Sequence, residues 1–248
     1  MELSIIKKEV PVVACDMADM RAAYAEIAAA MEEVGGAPVF RAKVPSGGGK
    51  AFSIETGDED SDTVLTAIQG VVIHSHKCNA RFDETQLGEP PLCSSMDGKI
   101  GVDAETGEAC GCLDCPYNEY GSSAKGPGKA CKNMIRLYMM IPGSPIPLLI
   151  SLPPTSMKGW QAYRISTLAA KGLKPSEVVT ELTLTAATNK AGIKYSVIKP
   201  RLIGKLSPED AEAARFFASG FAPKVEISAD DYNTTKEETD DAGKRVDE

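Results

Sequence analysis

Two histidines in 248 residues leave little room for the common forms of side-chain catalysis. A nucleophilic triad needs a histidine held between a nucleophile and a carboxylate. Here His74 and His76 fall on one side of a strand-like stretch, where a binding face or a structural role suits them better. No G-x-S-x-G occurs. The one segment resembling a phosphate loop, "GGGK" (Gly47 to Lys50), lacks the glycine five residues before Gly49 and carries Ala51 in place of the required Ser or Thr. No apolar run reaches the length needed to cross a bilayer. The longest, "IPLLISLPP" (Ile146 to Pro154), is short and closed by prolines, and "MELSIIKKEV" is too mixed in charge for a secretory signal. These absences predict a cytoplasmic, non-enzymatic protein without a membrane partner. No internal repeat and no regular strand–helix alternation is present.

Acidic residues are scarce in one block only. Residues 120–205 hold thirteen Lys and Arg against Glu177 and Glu181, a net +11, between a 1–119 segment of −12 and a 206–248 segment of −7. Sign asymmetry of this kind suggests an anionic partner for the middle of the chain, unless folding mixes the blocks on one surface.

Local patterns predict the elements. Asp16 opens a helix whose stripe is Met17, Met20, Tyr24, Ile27, Met31 and Val34, stopped by Gly35-Gly36. The stripe spans under three heptads, so it favours packing on the chain's own core over a dimerising coiled coil. From Pro38 the period becomes two: "PVFRAKVP" and "KAFSIET" straddle "SGGG" as strand, loop, strand. "VLTAIQGVVIHSHKCNARF" reads as a further strand or bent pair. "MIRLYMMIPG" and "IPLLISLP" read as two strands joined by a turn, as do "EVVTELTLTA" and "IKYSVIKPRLIGKL" around "TNKAG". Ser156 is the expected cap of a helix to about Lys171, ended by Gly172. Ser207-Pro208-Glu209-Asp210 starts another, running to about Ser219. From Ala229 the chain is polar and acidic and reads as disordered. The sum is an α+β domain on an antiparallel sheet or small barrel with flanking helices.

Five of the seven cysteines lie in loop-rich residues 83–134. In a reducing compartment they are expected as thiols or metal ligands. Cys112 and Cys115 form a C-x-x-C knuckle, the turn that offers two thiolates to one tetrahedral zinc. The other two ligands come from Cys93, Cys110, Cys131, Cys78, His74 and His76. Cys93 and Cys131 stand in the Gly-rich loops "CSSMDGKIG" and "KGPGKACKN", which have little core of their own and gain most from a metal. Spacing therefore favours Cys93, Cys112, Cys115 and Cys131. A redox pair would sit at a helix start, but "PYNEYGSS" follows the knuckle. A zinc deaminase would show H-x-E before P-C-x-x-C; "HSHK" has no such Glu, and Pro116 follows the knuckle.

Cations and rings interleave in the basic block, the composition that tracks phosphates and stacks bases along a single strand. Candidate contacts there are Lys132, Arg136, Tyr138, Lys158, Lys194, Tyr195, Lys199 and Arg201, joined by Arg41 and Lys43 on the first predicted strand and Tyr117 beside the knuckle. Strand alternation sends Lys194 and Tyr195 to opposite faces unless an edge or bulge intervenes. Trp160 belongs to a helical stripe and is expected in the core.

The segments "LTAIQGVVIHSHKCNARF", "PPLCSSMDGKIG", "CLDCPYNEYGS", "GKACKN", "LPPTSMKGW" and "GLKPSEVVTELTLTAATNKAGIKYS" resemble a family of phage and prophage single-stranded DNA-binding proteins, over about residues 38–218. The resemblance implies an OB-type barrel with a Cys-rich zinc insertion. It implies Cys93, Cys112, Cys115 and Cys131 as the ligands of a structural zinc, with Cys110 an extra. It implies Phe82 of "NARF" as a stacking residue, and a role in phage DNA replication or recombination in the host cytoplasm. The expected organisation is an amphipathic helical region (1–37), an OB-like domain (38–220) with its zinc insertion at about 88–134, and a flexible acidic tail (221–248). That tail is expected to shield the DNA groove and to reach replication or recombination proteins. The alternative is a protein-interaction or scaffold module that keeps the fold without binding nucleic acid.

Overall fold

The structure, a computed structural model, describes residues 10–32, 39–55, 63–86, 88–189, 192–221 and 225–232. In chain order the elements are β1 (Val12–Val13), α1 (Met17–Glu32), β2 (Phe40–Lys43), β3 (Phe52–Glu55), β4 (Thr63–Leu65) and β5 (Ala67–Arg81). Three short strands follow, β6 (Cys93–Ser95), β7 (Ile100–Asp103) and β8 (Ala109–Gly111). The rest are β9 (Cys131–Met140), β10 (Leu148–Leu152), α2 (Pro154–Ala162), β11 (Val178–Thr188), β12 (Lys194–Leu206) and α3 (Pro208–Gly220). The main path of the sheet runs β1-β12-β11-β5-β9-β10-β2-β3-β4, curled and open, and β6, β7 and β8 extend from the far half of β5. Two neighbouring pairs, β1 with β12 and β10 with β2, are parallel. The remaining pairs are antiparallel, as the hairpin-like sequence patterns predict. The α+β class holds.

Strand β9 explains the layering. Ile135, Leu137 and Met139 point into a core shared with Trp160 and Tyr163, while Tyr138 and Met140 point into a second core shared with Met17, Met20, Phe217 and Phe221. The sheet therefore buries both faces at its centre, one under α2 and the other under α1 and α3. This is why "MIRLYMM" is a continuous run with little alternation. Trp160 is fully buried. The first part of the α1 stripe packs on the chain's own core: Met17 and Met20 are buried and the Tyr24 ring meets Phe217 at 5.0 Å, tilted by 47°; Val34 and the Gly35-Gly36 stop lie outside the described residues.

The helix ends follow local chemistry. Asp210 N–H donates to Ser207 Oγ, so α3 starts where predicted. The same Asp210 reaches across to accept the Met17 N–H of α1 at 3.0 Å. Ser156, however, is no cap. It is buried inside α2, which starts at Pro154 after Pro153, and its Oγ accepts Ile198 N–H at 2.9 Å. Two prolines with preset φ replace the expected cap. After Ala162 the helix widens to a π turn over Tyr163–Leu168 and tightens over Ala169–Lys171, and Gly172 ends it at φ +70°.

The chain after α3 corrects the sequence reading. Residues 225–232 do not form a free acidic tail. They pack as a strap over the open side of β9, ending in a short 3-10 turn at Ala229–Tyr232. Ile227 joins Cys78, Ala80, Phe82 and Met134 in a third small core. The remainder of the predicted tail, 233–248, lies outside the described residues.

Candidate nucleic-acid interface and thiol cluster

The strap is held by a buried ion pair. Arg136 sits on β9 with no exposed surface, and Asp231 takes its Nε at 3.1 Å and its Nη2 at 2.5 Å. Arg41 Nη1 and Ser228 N–H donate to the same carboxylate, as does Ser151 Oγ. Arg136 also donates from Nη1 to Val225 O and to Met96 Sδ at 3.8 Å, and from Nη2 to Glu226 O. Burial alone would push the Asp231 carboxyl up, but the charge and hydrogen bonds of Arg136, with Arg41 and Ser151, outweigh it and hold the carboxyl below its usual range. Asp230 pairs with Lys43 at 3.2 Å.

Beside the strap lies a cavity of about 530 Å³. Arg41 of β2, the Pro45–Gly47 loop, the first residues of β12 and the strap residues Asp230, Asp231 and Tyr232 line it. Lys194 and Tyr195 both reach this cavity, although they alternate along the strand, because they are the first two residues of β12 at the end of its hairpin. The loop is pinned there by Ser196 Oγ donating to Gly49 O at 2.9 Å.

Of the predicted nucleic-acid contacts, the fold gathers Arg41, Lys194 and Tyr195 on this cavity, with Lys43 alongside through Asp230. Lys158, Lys194 and Lys199 are exposed and enter no ion pair among the described residues. The rest are placed elsewhere. Arg136 and Tyr138 are buried on β9 and cannot touch a strand while the strap is docked. Tyr138 instead packs with His74, His76 and Phe221, which gives both histidines a structural setting. Phe82 is also buried, and its ring stacks on Tyr232 rather than standing free for a base. Lys132 pairs with Glu84 at 3.4 Å and lies over Tyr232. Arg201 donates to Glu181 at 2.8 Å. Tyr117 lies under the Arg81 guanidinium, on the cysteine side of the molecule. Folding thus pairs Lys132 and Arg136 with acids from the two flanks, and Arg201 with Glu181 of the block itself.

The strap is the element that sequence reading missed, and a signal for it existed. An arginine in the middle of the apolar run of residues 134–140 must find a buried acid. "VEISADDY" supplies acids beside Ile227 and Tyr232, the apolar residues needed to hold them there.

The cysteines occupy a second cavity, about 350 Å³, lined by Cys93, Cys110, Cys112, Cys115 and Cys131. Two Asp-Gly or Asp-anchored turns build it. Asp97 Oδ1 accepts the N–H of Lys99 and of Ile100, with Gly98 at φ +71°, and this turns β6 into β7. Asp103 Oδ1 accepts the N–H of Glu105 and of Thr106, with Gly107 at φ +70°, and this turns β7 into β8. The knuckle is tied down by Asn118, whose Nδ2 donates to Cys112 O at 2.7 Å. Lys129 bridges Asn118 and Asn133, and Asn133 bonds Asn79 on β5. This module has almost no apolar interior.

Cys93 Sγ and Cys110 Sγ are 3.9 Å apart, on the strands flanking Gly101. A Cβ on Gly101 would stand 2.9 Å from Cys93 Sγ, 3.2 Å from Cys110 Sγ and 3.6 Å from Cys112 Sγ, so the missing side chain is the hollow into which the sulfurs lean. Burial, then the hydrogen bond with Cys110 and the nearby thiols, pushes the Cys93 thiol up to about 12; burial and its neighbours push Cys131 up to about 11. Such thiols stay protonated unless a cation joins them. Among the described residues no group of three or more His, Cys, Asp or Glu side chains is placed to hold a metal ion. The side chains around this hollow include five sulfurs, the donor type that zinc takes as thiolate. Cys15 and Cys78 are buried apart from this cluster.

Comparison with family models, curated proteins and solved structures gave no match. No helix among the described residues is long and apolar enough to cross a membrane.

Proposed function

We propose that this protein binds single-stranded DNA without catalysing a reaction, on an OB-like half-barrel, in phage DNA replication or recombination. The observation that carries the proposal is the convergence of Arg41, Lys194 and Tyr195 on one cavity, with Lys199 and Lys158 exposed and in no ion pair among the described residues. Cations and an aromatic face on one open groove are what a sugar-phosphate strand with splayed bases requires. Asp230 and Asp231 occupy the cations on the strap side of that groove, which leaves the β12 end as the region free to meet phosphate. A structural zinc held by Cys93, Cys112, Cys115 and Cys131 completes the reading. It would fasten a module whose strands bury little apolar surface. The motif resemblance adds weight to both parts.

The test is a fluorescence titration with oligo-dT at two salt concentrations, beside zinc analysis of the protein purified without chelator. Affinity should fall steeply with salt, and duplex should bind much more weakly. Lys194→Ala should reduce the salt slope by about 0.7, the value for one phosphate contact on a single strand. Tyr195→Ala should cost about 1–3 kcal/mol for one lost stacking face. Equal affinity for duplex and single strand, or none for either, overturns the proposal. A protein-interaction module is the second reading, favoured by Ile100, Val102, Leu113 and Tyr120, which stand 48–88% exposed on the cysteine module.

A further inference from the structure

We propose that Cys110 is a working fifth thiol of the metal centre, sharing one coordination position with Cys93, so that the site can pass its ion to an outside thiolate or chelator. The proposal rests on the zinc reading above.

The register puts the two cysteines on one face. Cys93 pairs with Asp103, and Gly101, two residues back on β7, pairs with Cys110. Strand alternation therefore points Cys93, Gly101, Cys110 and Cys112 the same way. Because the middle residue has no side chain, sulfurs from the two outer strands meet over it at 3.9 Å. They are not placed to bond each other. A strand lies between them, so their Cα atoms stand about two strand spacings apart, ~9 Å, against a limit of about 7 Å for a disulfide. They are placed to reach one ion.

Depth separates the five sulfurs. Cys112 and Cys131 are buried, at 6% and 8% exposure, Cys93 and Cys115 are half-buried, and Cys110 is exposed. A tetrahedral ion takes four. The knuckle and Cys131 supply three, and Cys93 and Cys110, whose sulfurs meet at 3.9 Å, compete for the fourth. When Cys110 binds it gives up its proton, and Cys93 takes one as it leaves. Between the departure of one sulfur and the arrival of the other the ion is held by three, and the vacated position is open to an incoming ligand.

The experiment compares the full chain with its Cys93→Ser, Cys110→Ser and double variants. It measures zinc per chain, the ligand-field and sulfur-to-metal charge-transfer spectrum of the cobalt(II) form, and the rate of zinc transfer to a chromogenic chelator. Both single variants should keep one ion per chain and a four-sulfur cobalt spectrum, and the double variant should show a three-sulfur spectrum. Zinc transfer should be several-fold faster from the unmodified protein than from either single variant. If Cys93→Ser loses the four-sulfur spectrum while Cys110→Ser changes neither spectrum nor rate, Cys110 is a bystander and the proposal falls. Loss of that spectrum in both single variants overturns sharing as well, because both then bind at once. An unmodified protein that takes up neither metal overturns the centre itself, a failure distinct from the other two.

Discussion

Replacing Asp231 with alanine removes the carboxylate on which the strap depends. Arg136 would keep the carbonyls of Val225 and Glu226 and the weak acceptor Met96 Sδ as partners, with its guanidinium fully buried. Breaking one side of a buried pair costs about 3–5 kcal/mol, because the other charge is left uncompensated. The chain has one escape, which sets an upper bound. Residues 225–232 can lift and let water reach Arg136, losing the burial of Ile227, about 2 kcal/mol, and the Phe82–Tyr232 stack, about 0.5–1.5 kcal/mol. Both routes give a loss near 3 kcal/mol, or roughly 6–12 °C in Tm at 2–4 °C per kcal/mol for a chain of this size. Trp160, the single tryptophan and fully buried, reports unfolding in urea by its fluorescence. The pH dependence has a definite sign. The Asp231 carboxyl is held below its ordinary value of 3.8. Its stabilisation is therefore whole above that value and is lost as pH falls through the lower folded-state value. The gap between parent and variant should be constant from pH 7 to 5 and narrow only below about 4. Arg136→Met with Asp231→Leu should recover much of the loss, since it removes both charges together. A variant that unfolds within about 0.5 kcal/mol of the parent, the range of ordinary surface changes, would refute the claim that the strap is fastened through this pair.

Gly101→Ala should lower zinc content and loosen the cysteine module, because its Cβ would stand 2.9 Å from Cys93 Sγ; Gly111→Ala, with nothing within 4 Å, should leave both unchanged, and metal analysis of the two separates them. Ending the chain after Tyr232 removes residues of net charge −3 while leaving the strap in place. If those residues shield the groove, the shortened protein should bind oligo-dT more tightly at low salt, with the gain fading as salt rises. Removing 225–248 should instead destabilise the fold, by an amount close to that of Asp231→Ala, as measured by the same urea titration.

Much of the fold was legible in the sequence because it rests on local rules. Alternation marked β2, β3, β11 and β12; Ser207 and Pro208 marked the start of α3; Gly172 marked a helix end that needs positive φ. The C-x-x-C knuckle and its two flanking cysteines were legible as one cluster because short loops with Asp-Gly turns cannot stray far. Tertiary structure alone decided the rest. Whether Lys194 and Tyr195 could face the same cavity depended on where β12 begins, which is set by its pairing with β11 and by the loop pinned at Ser196. The fate of the basic block depended on partners distant in the chain: Glu84 for Lys132, and Asp231, 95 residues away, for Arg136. The identity of Cys110 as a neighbour of Cys93 depended on register across β7. In each case the deciding quantity is a through-space distance of a few ångströms between residues far apart in sequence. Periodicity and composition carry no record of it, because they describe which face a residue takes and not what will be packed against that face.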